Sequence, residues 1–134
     1  MLNFFSPKFL LIIILSSGAV LRFYNINYDD LWYDEIISFW VANPEHLLAQ
    51  SLKIHNDIEI APFTFNLFLR FFYQIFGYEI DYARYLPFLF SILTILVVFK
   101  LSKLLDKNKS FLVATLLVSL NIFLINYAQE QRLY

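Results

Sequence analysis

Three apolar runs divide this chain, and the polar positions between them form one long segment and one short one. The first run, Phe9 to Leu21, reads FLLIIILSSGAVL. It extends over about residues 7–24 when Lys8 and Arg22 lay their aliphatic stems along the helix and carry their charges to the two interfaces. A helix of that length reaches about 27 Å, close to the roughly 30 Å of a bilayer's hydrocarbon core. The second run, 85–101, reads YLPFLFSILTILVVFKL, with Pro87 in its first turn, where a missing N–H costs little. The third, 111–127, reads FLVATLLVSLNIFLINY. The pattern predicts an all-α membrane protein with three transmembrane helices. A cleaved signal peptide competes for the first run, because Ser16 to Ala19 supplies small residues after a short apolar core. The sparse charge at its start, Lys8, and the apolar continuation through Val20, Leu21 and Phe23 favour a retained span. In either case the chain after Arg22 is exported.

The long polar segment, 25–84, carries helical patterns of its own. Residues 34–42 are apolar almost all round, the mark of a helix resting on a membrane or on other protein. Asn43, Pro44 and Glu45 read as an N-cap, a first helical position and an acidic first turn, predicting a helix that restarts there. His55 to Glu59 is a polar break, and His46 and His55 read as solvated loop residues, not a zinc pair. Residues 62–76 open with proline and stop at Gly77. Such a helix reaches only about 22 Å, short of the core thickness. Asn66, Arg70 and Gln74 recur on one side of it, so it is expected to lie in the interface as a juxtamembrane helix.

Composition agrees with a membrane location. The 134 residues are 60% hydrophobic and 20% aromatic, with a mean hydropathy of +0.61, against roughly 45–50% apolar content in soluble domains. The net charge of -1, with bases at the borders of the apolar runs, gives no basic face, and no nucleic-acid partner is expected. With no cysteine there is neither a disulfide frame nor a thiolate metal site. Orientation follows from Lys103, Lys107 and Lys109, crowded into 102–110. Arg22, Lys53, Arg70 and Arg84 are instead spread along the long segment. The positive-inside bias therefore puts the N-terminus and the loop 102–110 in the cytoplasm, and the loop 25–84 and the C-terminus outside.

That topology brings two acidic motifs to one face: Trp32-Tyr-Asp-Glu35 after the first span and Gln129-Glu-Gln-Arg-Leu-Tyr134 after the third. Carboxylates there can coordinate a divalent cation, balance an arginine or take a proton from a hydroxyl. An arginine such as Arg132 can offset phosphate charge. The plainer reading makes Asp34 and Glu35 first-turn acids that complement a helix dipole. Glu130 and Arg132 would then be an interfacial pair, and Asp29 and Asp30 turn residues. Trp32, Tyr33, Tyr127 and Tyr134 fit an interfacial aromatic belt.

The order of Leu21-Arg-Phe-Tyr24, Leu31-Trp-Tyr-Asp-Glu35, Pro62 with its aromatic helix ending at Phe76-Gly77, Ala83-Arg-Tyr-Leu-Pro87 and Tyr127-Ala-Gln-Glu-Gln-Arg-Leu-Tyr134 resembles the N-terminal part of GT-C glycosyltransferases. These are polytopic enzymes that use lipid-linked sugars, and the likeness is to the family of protein mannosyltransferases and aminoarabinose transferases. The resemblance implies a GT-C architecture that continues with further spans, so that this stretch alone is expected to be inactive. It implies transfer of a sugar from a polyprenyl-phosphate donor to a lipid, glycan or protein acceptor, on the outer face of a bacterial inner membrane or its archaeal equivalent. Asp34 becomes the general base and Glu35 its motif partner. Glu130 becomes a metal or acceptor ligand, with Asp34 beside it if a divalent cation is used, and Arg132 and Tyr134 become substrate-binding residues. The expected relation is a meeting of Glu130 with Asp34. The competing expectation is a small non-enzymatic three-span subunit whose acidic outer loop binds a partner or a cation. A transporter would carry ionisable groups inside its spans, and the three runs have none between Phe9 and Leu21, Tyr85 and Phe99, or Phe111 and Tyr127.

Overall fold

Ser6 caps the first helix by accepting the Phe9 N–H at 3.2 Å, and Pro7 follows at the first helical position. The computed structural model describes residues 6–59, 61–105 and 110–131. They form α1 (Pro7–Phe23), α2 (Tyr33–Val41), α3 (Leu48–Ile58), α4 (Thr64–Phe76), a 3₁₀ turn (Ile80–Tyr82), α5 (Tyr85–Leu105), α6 (Ser110–Leu120) and α7 (Ile122–Tyr127). The fold is all-helical, with no strand among the described residues. Contacts divide the chain into two units, Met1–Ile26 with Phe88–Gln129 and Asn27–Pro87 with Glu130–Tyr134.

Within the first unit α1 packs mainly on α6. Gly18 permits the close approach, because a Cβ there would collide with the Ser119 hydroxyl and stand 3.0 Å from Ile95. That hydroxyl is itself held, donating to the Ile14 carbonyl at 3.0 Å. Among the described residues α5 is the one helix long and apolar enough to cross a membrane. The 17 residues of α1 and the 11 of α6 are shorter. The third apolar run is interrupted. Asn121 leaves the helical conformation and caps a new start by accepting the Leu124 N–H at 3.1 Å. An Asn side chain competes for backbone donors in this way, which sequence hydropathy does not register.

Arg22 departs from the expected snorkelling geometry and is fully buried. Its Nε donates to Ser91 Oγ at 2.7 Å, Nη1 to the carbonyls of Gly18 at 3.1 Å and Ser119 at 2.7 Å, and Nη2 to the Val118 carbonyl at 3.1 Å. The last turn of α6 thus gives its carbonyls to a cation, which both satisfies them and suits the negative end of the helix dipole.

The second unit is built round α4. Phe65, Leu69, Phe72 and Tyr73 form its core with Ala42 and Leu86. Phe39 stacks on Tyr78 at 4.2 Å between ring centroids, and the Tyr78 hydroxyl donates to the Phe39 carbonyl at 3.1 Å. The helix restart expected at Asn43 is a turn instead, and α3 begins at Leu48. Asn43 Oδ1 accepts the Glu45 N–H at 2.9 Å, while the Arg70 guanidinium takes the carbonyls of Asn43, Pro44 and His46. The His46 N–H donates to the Asn43 carbonyl at 3.3 Å, and the guanidinium clasps the segment as a turn. Helix α3 runs through His55, which is buried and not a loop residue. Part of the polar side of α4 also turns inward: Asn66 is buried and Arg70 half-buried, whereas Gln74, like Leu67, Phe68, Phe71 and Ile75, is exposed.

Candidate functional site

Asp34 and Glu35 both fall in the first turn of α2, as a dipole-complementing pair would, yet the helix sends them to different places. Glu35 is wholly buried. Its Oε1 accepts from Arg84 Nε at 3.0 Å and from the Gln131 N–H at 2.7 Å. Its Oε2 accepts from Arg84 Nη2 at 2.8 Å and reaches back to the Trp32 N–H at 3.4 Å. A buried carboxylate needs this many donors, because an ion taken out of water is tolerated only when paired and hydrogen-bonded.

Arg84 completes the arrangement. Its remaining donors reach the main-chain carbonyls of Asp29 at 3.0 Å and Asp30 at 3.3 Å. Those two aspartates, whose side chains are exposed, therefore serve through their carbonyls, as expected for turn residues. Glu130 is half-buried, and its negative charge, like that of Asp29, acts on Arg84. Gln131 adds a second strap, donating from Nε2 to the Tyr73 hydroxyl at 2.9 Å. Burial pushes the Tyr73 phenol well above its ordinary range, with Tyr78 and Glu35 adding to the rise and the Gln131 bond opposing it. Tyr73 is therefore a neutral hydroxyl at any physiological pH. Burial, with Glu45 adding, raises Tyr78 to about 12.

The two acidic motifs therefore meet in the second unit, and the meeting runs through the Glu35 carboxylate and the Gln131 main chain. Arg132 and Tyr134 lie outside the described residues. Among the described residues no group of three or more His, Asp or Glu side chains is placed to hold a metal ion. A divalent cation thus lacks a three-ligand cradle among them.

Asp34, half-buried, lines a cavity of about 530 Å³ between α2 and the segment leading into α4. Ser38, Glu59 and Asn66 supply its other polar walls, and Ile37, Ile58, Pro62 and Phe65 its apolar ones. Beside it, His55 Nε2 lies 2.6 Å from the Ala61 carbonyl, and Nδ1 lies 3.0 Å from Asn66 Nδ2. A carbonyl can only accept, so Nε2 carries the proton and Nδ1 accepts from Asn66 in the neutral ring. Glu59, 3.4 Å from Nδ1, is an ion-pair partner only for the protonated ring. Arg84 sits at the mouth of an apolar run and reads from sequence as a border cation; nothing but the need to pair a buried Glu35 marks it as more. Asn66 carries no such signal, since it falls within an ordinary amphipathic stripe, and His55 reads from sequence as the start of a polar break.

Compared with protein-family models, with curated proteins and with solved structures, the chain matches none.

Proposed function

We propose that this chain is the N-terminal part of an inverting membrane glycosyltransferase of GT-C type, with Asp34 as the general base. It would move a sugar from a polyprenyl-phosphate donor to an acceptor hydroxyl of a lipid, glycan or protein on the outer face of a membrane. The observation that carries the reading is the division of labour between adjacent acids. Glu35 is consumed by Arg84 and Gln131, while Asp34 stands on the wall of a cavity. A base must reach the proton it removes, and the position of Asp34 on the cavity wall supports that role for it over the wholly buried Glu35. In the step envisaged, the acceptor oxygen attacks the anomeric carbon as its proton passes to Asp34. The bond from that carbon to the phosphate oxygen breaks, and the polyprenyl phosphate leaves with the electron pair. All three spans, the outer position of residues 25–84 and the substrate roles of Arg132 and Tyr134 belong to this proposal. So does an interfacial α4, whose exposed face is apolar.

The test is transfer of radiolabelled sugar from polyprenyl-phosphate donors in membranes containing the protein expressed from its native reading frame. Asp34→Asn is nearly isosteric and cannot accept a proton, so transfer should fall by about 10²–10⁴-fold, the usual worth of general base catalysis. Transfer at the unaltered rate would remove Asp34 from the role.

A further inference from the structure

We propose that the cavity between α2 and α4 is a binding subsite for an uncharged, hydroxyl-bearing group with the amphiphilic character of a glycosyl ring, and that Asn66 is its selecting residue. The first support is the sign of its polar walls. Asp34 and Glu59 line it, and among the described residues no lysine or arginine does. Ionised carboxylates only accept hydrogen bonds, so such a wall repels a phosphate and welcomes O–H donors. The second support is independent of charge. Asn66 is 2% exposed and lines the cavity, yet its Oδ1 has no hydrogen-bond partner among the described residues. A buried amide oxygen without a donor is costly, and the protein holds it in that orientation. Ala61 fixes the tautomer of His55, His55 Nδ1 fixes Asn66 Nδ2, and Oδ1 is the atom left for a ligand. The third support is the other half of the lining. Ile37, Pro62 and Phe65 offer apolar surface opposite the acceptors, and the exposed ring of Tyr33 lines the cavity as well. A sugar ring has such a pair of characters, C–H faces and an O–H edge, and pockets of this size bind by matching apolar walls with a few convergent polar atoms.

The occupant's identity as a glycosyl group rests on the transferase reading, and within that reading the subsite receives sugar hydroxyls while the donor phosphate is held elsewhere. His55 and Asn66 act as a relay of orientation. Neither need touch reacting atoms, so Asn66 is a specificity residue and His55 a positioning one.

Binding can be measured without turnover. The protein expressed from its native reading frame, reconstituted in lipid nanodiscs, is mixed with a panel of methyl glycosides of common hexoses and pentoses and, separately, with glucose 1-phosphate. Saturation-transfer NMR reads contact. At least one methyl glycoside should take up saturation, and glucose 1-phosphate should take up far less. Asn66→Leu should weaken that glycoside about tenfold, the worth of one neutral hydrogen bond at about 1.4 kcal/mol. Since Asn66 is buried and its loss could unfold the unit, Ala61→Phe gives a second arm. Position 61 is only half-buried, and a ring there fills the cavity while the main-chain carbonyl that holds His55 remains. It should abolish the glycoside signal with an unchanged melting curve. No saturation across the panel, equal uptake by glucose 1-phosphate, or a signal indifferent to Ala61→Phe would overturn the subsite. Glycoside binding by a protein that transfers no sugar would leave the subsite standing and remove the transferase reading. Sugar transfer by a protein whose cavity takes no glycoside would do the reverse.

Discussion

Arg84 grips Glu35 side-on, Nε to Oε1 at 3.0 Å and Nη2 to Oε2 at 2.8 Å, with the carboxylate wholly withdrawn from solvent. Removing one partner of such a pair strands a charge. Arg84→Ala is therefore expected to cost about 3–5 kcal/mol in the second unit. Glu35→Gln in the same chain should return part of that loss, because it discharges the stranded group and keeps an oxygen for the Gln131 N–H. The chain's two tryptophans, Trp32 and Trp40, both lie in this unit and report its unfolding by fluorescence. A double variant less stable than Arg84→Ala alone would refute the account of Glu35 as an anchored structural charge.

Arg22 is the corresponding anchor of the first unit, but its acceptors are all neutral. Its value lies in satisfying the Val118 and Ser119 carbonyls where α6 stops short of Asn121. Arg22→Leu should cost about 1–3 kcal/mol for each carbonyl left without a donor. Arg22→Lys should recover only part, since a point ammonium cannot serve a hydroxyl and three carbonyls in a planar fan. Unfolding in mixed micelles titrated with dodecyl sulfate measures both variants, and equal stability of Leu and Lys at this position would show that the fan of bonds is immaterial.

Tyr78 supplies a pH dependence whose sign is fixed. Its folded pKa, about 12, lies above the value of about 10 expected for an unfolded tyrosine. The folded state therefore holds the proton more tightly, so this contribution is fully present below about pH 10 and is lost as pH rises through the folded value. Alkaline unfolding of the second unit should begin above about pH 10, and Tyr78→Phe should remove part of that slope while giving up the hydrogen bond to Phe39. Tyrosinate absorbance recorded beside tryptophan fluorescence separates the two effects. A slope unaltered in Tyr78→Phe would assign the alkaline loss to other groups.

What could be read from residue order was largely what hydropathy and local caps determine. The bounds of α1 match the expected run because Ser6 and Pro7 mark its start and Arg22 closes its last turn. Helix α4 ends at Gly77 as expected, since its φ of 106° suits glycine. The failures involve polar side chains that take up hydrogen-bond partners, near or far along the chain, that hydropathy does not register. Asn43-Pro44-Glu45 has the local chemistry of a helix start, yet Arg70, far along the chain, takes its carbonyls. Asn121 looks like a tolerated polar residue inside an apolar run and is a cap. Arg22 looks like an interfacial cation and is a buried clasp. At the site, the Asp-Glu motif could be singled out from sequence, but not which acid would be buried. That choice depends on Arg84, and a pairing across such a separation leaves no local periodicity to read.

Helix α4 offers the sharpest physical test of where the second unit lies. Its buried side holds Phe65, Asn66, Leu69, Phe72 and Tyr73, so both its apolar core and part of its polar stripe are spent on the protein. The outward side is Leu67, Phe68, Phe71, Ile75 and Phe76, between 45% and 61% exposed. A large apolar surface of this kind marks a partner or a membrane. Helix α4 ends at Phe76 and the apolar α5 begins at Tyr85, so only a short connection separates it in sequence from the one helix, among the described residues, long and apolar enough to cross a bilayer. The lipid interface is therefore the expected occupant. The absence of native cysteine makes single-cysteine probes clean. Phe68→Cys and Phe71→Cys, labelled with an environment-sensitive dye, should be shielded from iodide and quenched by lipids bearing a nitroxide near the headgroup. They should respond more weakly to one deep in the acyl chain, since an interfacial helix buries its face by only about 5–10 Å. Lys53→Cys on α3, an exposed cationic position, should be open to iodide. Equal iodide access at all three positions would place the α4 face in water and take the interfacial reading with it.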